Sequence, residues 1–97
     1  MRYFHRIHGS PDSVLRSAEA FFAAKGLEPQ PGNQDMAKFS DSRGDISVAV
    51  EIEGGHYARV TVATSDVGES ELDRLAKRFL AELHASHDQA HEVRGAY

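Results

Sequence analysis

The sequence of 97 residues contains no cysteine. This absence excludes disulfide bonds, thiolate zinc sites and cysteine nucleophiles. Long apolar runs are missing as well, because the longest one, residues 20–24, is far shorter than the ~20 residues that a membrane-spanning helix needs. The first 15 residues hold no continuous apolar segment of the kind that secretory signals contain. We therefore expect a cytoplasmic protein without a membrane partner.

An excess of positive charge is also absent. The chain has 11 Lys and Arg against 15 Asp and Glu, a formal net charge of -4. Because nucleic-acid binding needs clustered cations, this balance argues against nucleic acid as a partner. The sequence contains no phosphate-binding glycine loop, no dinucleotide fingerprint, no serine elbow and no paired-histidine zinc motif. It therefore predicts no catalytic residues and no cofactor, and it favours a non-enzymatic protein.

The N-terminal segment, Arg2–His8, alternates between two sets of side chains, which is typical of a strand. Tyr3, His5 and Ile7 form the set that we expect to face inward. A histidine in such a row is more often a hydrogen-bonded core residue than a proton-transfer group, and we interpret His5 in that way.

A helix is predicted to follow this strand. Ser10 is a favourable N-cap and Pro11 suits the first helical position. Gly26 falls where a left-handed residue closes a helix, which predicts an end at Lys25 and a closing contact of Leu27 with the last turn.

Alternation with a period of two returns from Met36 and predicts three strands joined as a meander. The inward-facing rows are Ala37 and Phe39, then Ile46, Val48, Val50 and Ile52, then Ala58, Val60, Val62 and Thr64. Before them, two prolines and a glycine leave room for at most a short edge strand over Leu27–Gln30.

The first hairpin of the meander is predicted to turn at Arg43-Gly44, which places Phe39 opposite Val48. This register keeps the apolar rows of the two strands on the same face of the sheet.

The second hairpin is predicted to use a three-residue loop, Gly54–His56. A shorter loop would set apolar against polar rows, whereas this one opposes Val50 to Val60. The same register places Glu51 directly across from Arg59.

The last helix has two alternative starts, because Asp66 with Glu69 and Ser70 with Asp73 each resemble a capping box. Its buried stripe is predicted to consist of Leu72, Leu75, Ala76, Phe79, Leu80 and Leu83. Its charged residues, Asp73 among them, are expected to cover the solvent side. Apolar residues thin out afterwards, so we expect one domain over residues 1–86 and a fraying helix end and tail over residues 87–97.

These elements predict an α+β two-layer sandwich. A mainly antiparallel sheet of four or five strands carries both helices on one face, in the order β-α-(β)-β-β-β-α. With the short strand counted, this order resembles half of the TATA-binding-protein-like architecture over the chain to about residue 84. The likeness is one of topology, without a shared sequence motif, and it implies no function.

The other face of the sheet is the candidate binding surface. Seven residues are expected to form it: Ser47, Ala49, Glu51, Tyr57, Arg59, Thr61 and Ala63. Its centre is small and half-apolar, so another surface can approach closely. We therefore expect a small binding or interaction module, most simply a homodimer, with another protein as the alternative partner.

Two alternative hypotheses stay open. One is a small enzyme or ligand carrier with a polar pocket built from His5, Glu51, Tyr57 and Arg59, since acid–base chemistry needs a group with a shifted pKa. The other is an acidic antagonist or immunity-type protein whose carboxylates neutralise a basic partner.

A histidine-rich segment near the C-terminus has the residue types of a zinc or nickel site. His84, His87, Asp88 and His91 fall within ~100° on a helical wheel. Because the buried stripe is lost there and metal sites need a fixed backbone, we favour a solvated helix end and assign no metal ligands, and metal binding stays open as a third hypothesis. The tripeptide Arg43-Gly44-Asp45, which spells a cell-adhesion motif, is interpreted as turn chemistry.

Overall fold

The computed structural model describes residues 1–33, 35–53, 57–65 and 70–95, with side chains up to residue 85. Within this part of the chain, seven elements follow one another: β1 (Arg2–Ile7), α1 (Pro11–Ala24), β2 (Glu28–Asn33), β3 (Met36–Asp41), β4 (Gly44–Glu53), β5 (Tyr57–Thr64) and α2 (Glu71–Gly95). The strands form one antiparallel sheet in the order β1-β5-β4-β3-β2. The predicted α+β architecture is confirmed.

Helix α1 begins and closes as its sequence predicts. The Ser10 side chain accepts a hydrogen bond from the backbone N–H three residues on, at 3.2 Å. At the other end Gly26 has a φ of 88°, and the N–H of Leu27 donates to the carbonyl of Phe22 at 3.0 Å. This closure turns the chain into β2 and buries Leu27 under the sheet.

Strand β2 is longer than predicted, since it runs to Asn33 instead of ending near Gln30. It lies at the edge of the sheet and pairs only with β3. Pro29 and Pro31 have no N–H to donate, and an edge strand tolerates this because one of its sides has no neighbouring strand. The pairing with β3 shifts register between Gln30 and Asn33. The prediction underestimated what an edge position allows.

The predicted register of the β3–β4 hairpin is wrong by two residues. Phe39 lies opposite Ile46, not Val48, and Ala37 takes the place opposite Val48. A shift of two residues keeps each side chain on its predicted face, so the apolar rows still point the same way.

Turn chemistry explains this shift. The carboxylate of Asp41 accepts a hydrogen bond from the N–H of Arg43 at 2.7 Å, which fixes a turn at Ser42-Arg43. Gly44, with a φ of 138°, is then the first residue of β4 and not part of the loop. The Asp41 side chain, before the turn, therefore determines which residues form the loop. Gly44, after the turn, adopts the positive φ that the chain needs there.

The β4–β5 register is confirmed. Val50 lies opposite Val60, and Glu51 lies opposite Arg59. The loop itself, residues 54–56, falls outside the described residues.

Both helices cover the same face of the sheet. Three phenylalanines from three elements meet between the layers, with Phe22 5.1 Å from Phe39 and 5.2 Å from Phe79 between ring centroids. The buried core unites the inward rows with both helical stripes: Ile7, Val14, Ala18, Phe22, Leu27, Phe39, Ile46, Val48, Val50, Ala58, Val60, Val62, Leu72, Ala76, Phe79, Leu80 and Leu83. Ile52, at the end of a predicted inward row, is 57% exposed.

Helix α2 begins at Glu71, directly after Ser70 of the second predicted capping box, whereas the first, Asp66 with Glu69, lies outside the described residues. Ser70 accepts from the N–H of Asp73 at 3.1 Å and donates to its carboxylate at 2.7 Å. Helical backbone continues to Gly95, beyond residue 86, and the division into a domain and a tail stays a prediction.

Candidate recognition surface

The face of the sheet that points away from the helices, here the outer face, is organised in rows across the strands. Phe4 of β1 pairs with Thr61 of β5, Thr61 with Ala49 of β4, and Ala49 with Met36 of β3. Because paired residues point to the same side, these four side chains form one row, in which all but Thr61 are apolar. Phe4, at its end, is 60% exposed.

A second row runs beside the first. Arg2 pairs with Ala63, Ala63 with Ser47, and Ser47 with Lys38. Two long cationic side chains therefore flank two small ones.

Together the rows shape a trough of about 380 Å³ across the outer face. Six of the seven predicted residues line it: Ser47, Ala49, Glu51, Arg59, Thr61 and Ala63. Tyr57, the seventh, lies outside the trough next to His8, with 4.4 Å between the two ring centroids. The structure thus brings six predicted residues together and leaves Tyr57 outside the trough.

The third row, Arg6, Arg59 and Glu51, forms an ion network with Glu53 of the adjacent row. Arg59 lies 3.2 Å from the Glu51 carboxylate and 3.8 Å from that of Glu53, and Arg6 donates to Glu53 at 2.8 Å. The Nε of Arg59 is buried without a hydrogen-bond partner in the described part of the chain. Exposed pairs such as Arg6–Glu53 contribute well under about 1 kcal/mol each, so the network sets local charge more than stability.

Three residues of the trough were missed from the sequence: Arg2, Phe4 and Met36. Phe4 carried a signal, because it belongs to the outward set of the first strand. What the sequence did not indicate was the neighbour of that strand, since alternation defines a face and not a strand order.

His5 lies on the opposite face of the sheet from the trough. It pairs in register with buried Val60, and its Nε2 is 2.6 Å from Nδ1 of His84 on α2. His5 is half-buried and hydrogen-bonded. This agrees with the interpretation that its imidazole is a hydrogen-bonded structural group. The four-residue polar pocket is therefore not assembled, because the sheet separates His5 from Glu51, Tyr57 and Arg59.

Asp73 is a buried carboxylate that the sequence placed on the solvent side of α2. Its side chain is fully buried, and one oxygen accepts hydrogen bonds from the hydroxyls of Tyr3 and Thr64, both at 2.9 Å. Burial alone raises the pKa of Asp73, but the hydrogen bonds from Ser70, Thr64 and Tyr3 outweigh it and hold the pKa below its ordinary value. The group thus ties β1, β5 and α2 together and does not reach the outer face.

Arg43 of the adhesion-like tripeptide has a structural role. Its guanidinium donates to Asp41 at 2.5 Å, to Glu71 at 3.1 Å and to the Lys25 carbonyl at 3.3 Å. These hydrogen bonds connect the turn to the end of α1 and the start of α2. The guanidinium of Arg43 is therefore engaged in contacts within the chain.

Among the described residues, no three metal-ligating side chains converge. Of the histidine-rich segment, the side chains of His87, Asp88 and His91 lie outside the described part. No helix that the structure describes combines the length and apolarity needed to cross a membrane. Comparison with protein families and with curated proteins gives no match.

Proposed function

We propose that the protein is a small, non-enzymatic binding module that acts through its outer sheet face and uses it to associate with a second copy of itself. The observation that supports this most is the trough: a floor of small residues, with Phe4 standing exposed at one end. Phenylalanine, methionine and arginine, all present here, are residue types that protein interfaces favour.

The small side chains of the trough are not typical of a sheet face that is exposed only to water. Solvated strands usually present long polar side chains, whereas Ala49, Thr61 and Ala63 leave the backbone open to close approach. The charges of the ion network next to these residues compensate each other, because Arg6 and Arg59 are paired with Glu51 and Glu53. Two copies can therefore meet without strong net repulsion at this row.

The test compares two identical substitutions by sedimentation velocity over a concentration series. Ala49→Glu places a charge in the trough, and Ala81→Glu places one at an exposed position of α2. We expect the wild-type protein and Ala81→Glu to associate with increasing concentration and Ala49→Glu to remain monomeric. A wild-type protein that is monomeric throughout, or equal association of both variants, contradicts the proposal.

A ligand carrier is the second candidate, and the size of the trough favours it. A volume of about 380 Å³ lies within the range of small-molecule sites, roughly 300–1,000 Å³. On this alternative, a bound apolar molecule occupies the surface and the protein stays monomeric. The same sedimentation series distinguishes the two.

A further inference from the structure

The outer face carries both a protrusion and a hollow of matching character. Phe4 is the most exposed large apolar side chain of this face, and the small floor of the trough begins beside it. Phe4 cannot fill the hollow of its own chain, because it forms one wall of it. A second copy brings another Phe4 to the same hollow.

Strand positions show how two copies reach this arrangement. Phe4 and Ala49 lie in one row, two strands apart, which is about 10 Å across the sheet. A two-fold axis that runs along β5, the strand between them, exchanges β1 with β4 of the other copy. Each Phe4 then lies over Ala49 of the second copy, next to its Met36.

We infer that two copies pair face to face about a two-fold axis along β5, with each Phe4 inserted into the trough of the other. This inference rests on the proposed self-association and adds its geometry. Contact of an aromatic ring with a methionine at the trough wall is a favourable pairing. Such an interface is isologous, so each contact occurs twice.

Charge supports the same axis. The rotation that brings Phe4 over Ala49 also brings Arg6 opposite Glu51 of the second copy, and these side chains are 57% and 66% exposed. The two Arg59 side chains meet near the axis, where Glu51 and Glu53 offset their charge. The shape of the outer face and the charges of this row therefore agree on one arrangement.

A charge exchange tests this pairing. Arg6→Glu sets a second carboxylate against Glu51, and Glu51→Arg sets two guanidinium groups together, so we expect each variant alone to associate at least about tenfold more weakly than wild type. In an equimolar mixture the opposite charges face each other again, and we expect a heterodimer within about threefold of wild-type affinity. Arg16→Glu, at an exposed position of α1, is the matched control, and we expect it to leave association unchanged.

A shape exchange provides a second, uncharged route should a charge variant fail to fold. Phe4→Ala removes the protrusion and Ala49→Trp fills the hollow, so neither variant associates alone. Mixing them restores one of the two insertions, and association returns in part. Circular dichroism confirms that each variant is folded.

The outcomes separate the two proposals. A wild-type protein that does not self-associate overturns both. Self-association that neither mixture restores overturns the axis along β5 and leaves the proposed function standing. Restoration by mixing supports the pairing.

Discussion

Asp73 shows how one side chain connects elements that lie far apart in the sequence. Its carboxylate accepts hydrogen bonds from hydroxyl groups of β1, of the end of β5 and of the residue before α2. It also lies in the first turn of α2, where the helix dipole favours negative charge. An unsatisfied carboxylate at a fully buried position would be costly, so the hydrogen bonds are the condition for its burial.

This carboxylate predicts a pH dependence of stability. Because the folded pKa of Asp73 lies below its unfolded value of about 3.9, its contribution is complete above that pH and is lost as the pH falls through the folded pKa. We expect Asp73→Asn to be less stable than wild type at neutral pH, by about 1–3 kcal/mol. The difference should begin to shrink below about pH 4, where the carboxylate of the unfolded chain takes up its proton, and should be lost below the folded pKa.

Urea unfolding at a series of pH values measures this difference. Tyr3→Phe, which removes one donor and keeps the carboxylate, is the control and should cost less, about 1 kcal/mol. A difference between wild type and Asp73→Asn that is constant down to strongly acidic pH would show that the carboxylate charge is not what stabilises the fold.

The helical pattern of α2 did not predict this role. Its buried stripe was predicted correctly because apolar spacing reports which side of a helix is covered. Asp73 was assigned to solvent because it is charged. Its partners, Tyr3 and Thr64, are distant in sequence, and no local pattern reveals them.

At the scale of elements, two described glycines with a positive φ are constrained differently: Gly44, which begins β4 after the β3–β4 turn, and Gly26, which follows α1. An alanine Cβ at Gly44 would meet the Oγ of Ser65 at 2.5 Å and Leu72 at 3.0 Å, in addition to the strain of a φ of 138°. At Gly26 the φ is 88° and nothing lies within 4 Å.

We therefore expect Gly44→Ala to destabilise the protein more than Gly26→Ala. Gly26→Ala should cost about 1–2 kcal/mol through the left-handed backbone alone, and Gly44→Ala more, since it adds a steric clash. Thermal unfolding of the two variants measures the order. Equal costs would show that the space beside Gly44 is not restricted.

The hairpins also show what a sequence pattern can decide. The β4–β5 register followed from matching two long valine rows, which tolerate no shift by one residue. The β3–β4 register was misjudged because its shorter row fits two registers of equal parity. The hydrogen bond from Arg43 to Asp41 selects between them.

At the scale of the whole molecule, two amphipathic helices and a sheet with one apolar face determine the layers. Each helix has a single buried stripe, so packing both on the same face is the simplest closure, and the structure confirms it. The position of β1 beside β5 was not predictable from alternation. Six residues of the trough were therefore found from the sequence. Arg2 and Phe4 became part of it through the position of β1 beside β5, and Met36 through the observed β3–β4 register, which sets it opposite Ala49.

The proposed function requires that the outer face is the surface at which a second copy binds. Backbone and methyl chemical shifts, followed by NMR from dilute to concentrated protein, test this most directly because each residue reports separately. Self-association through the outer face predicts concentration-dependent shifts at Phe4, Ala49 and Thr61, with the exposed sides of α1 and α2 unchanged. Shifts confined to the helices, or none at any concentration, would contradict it.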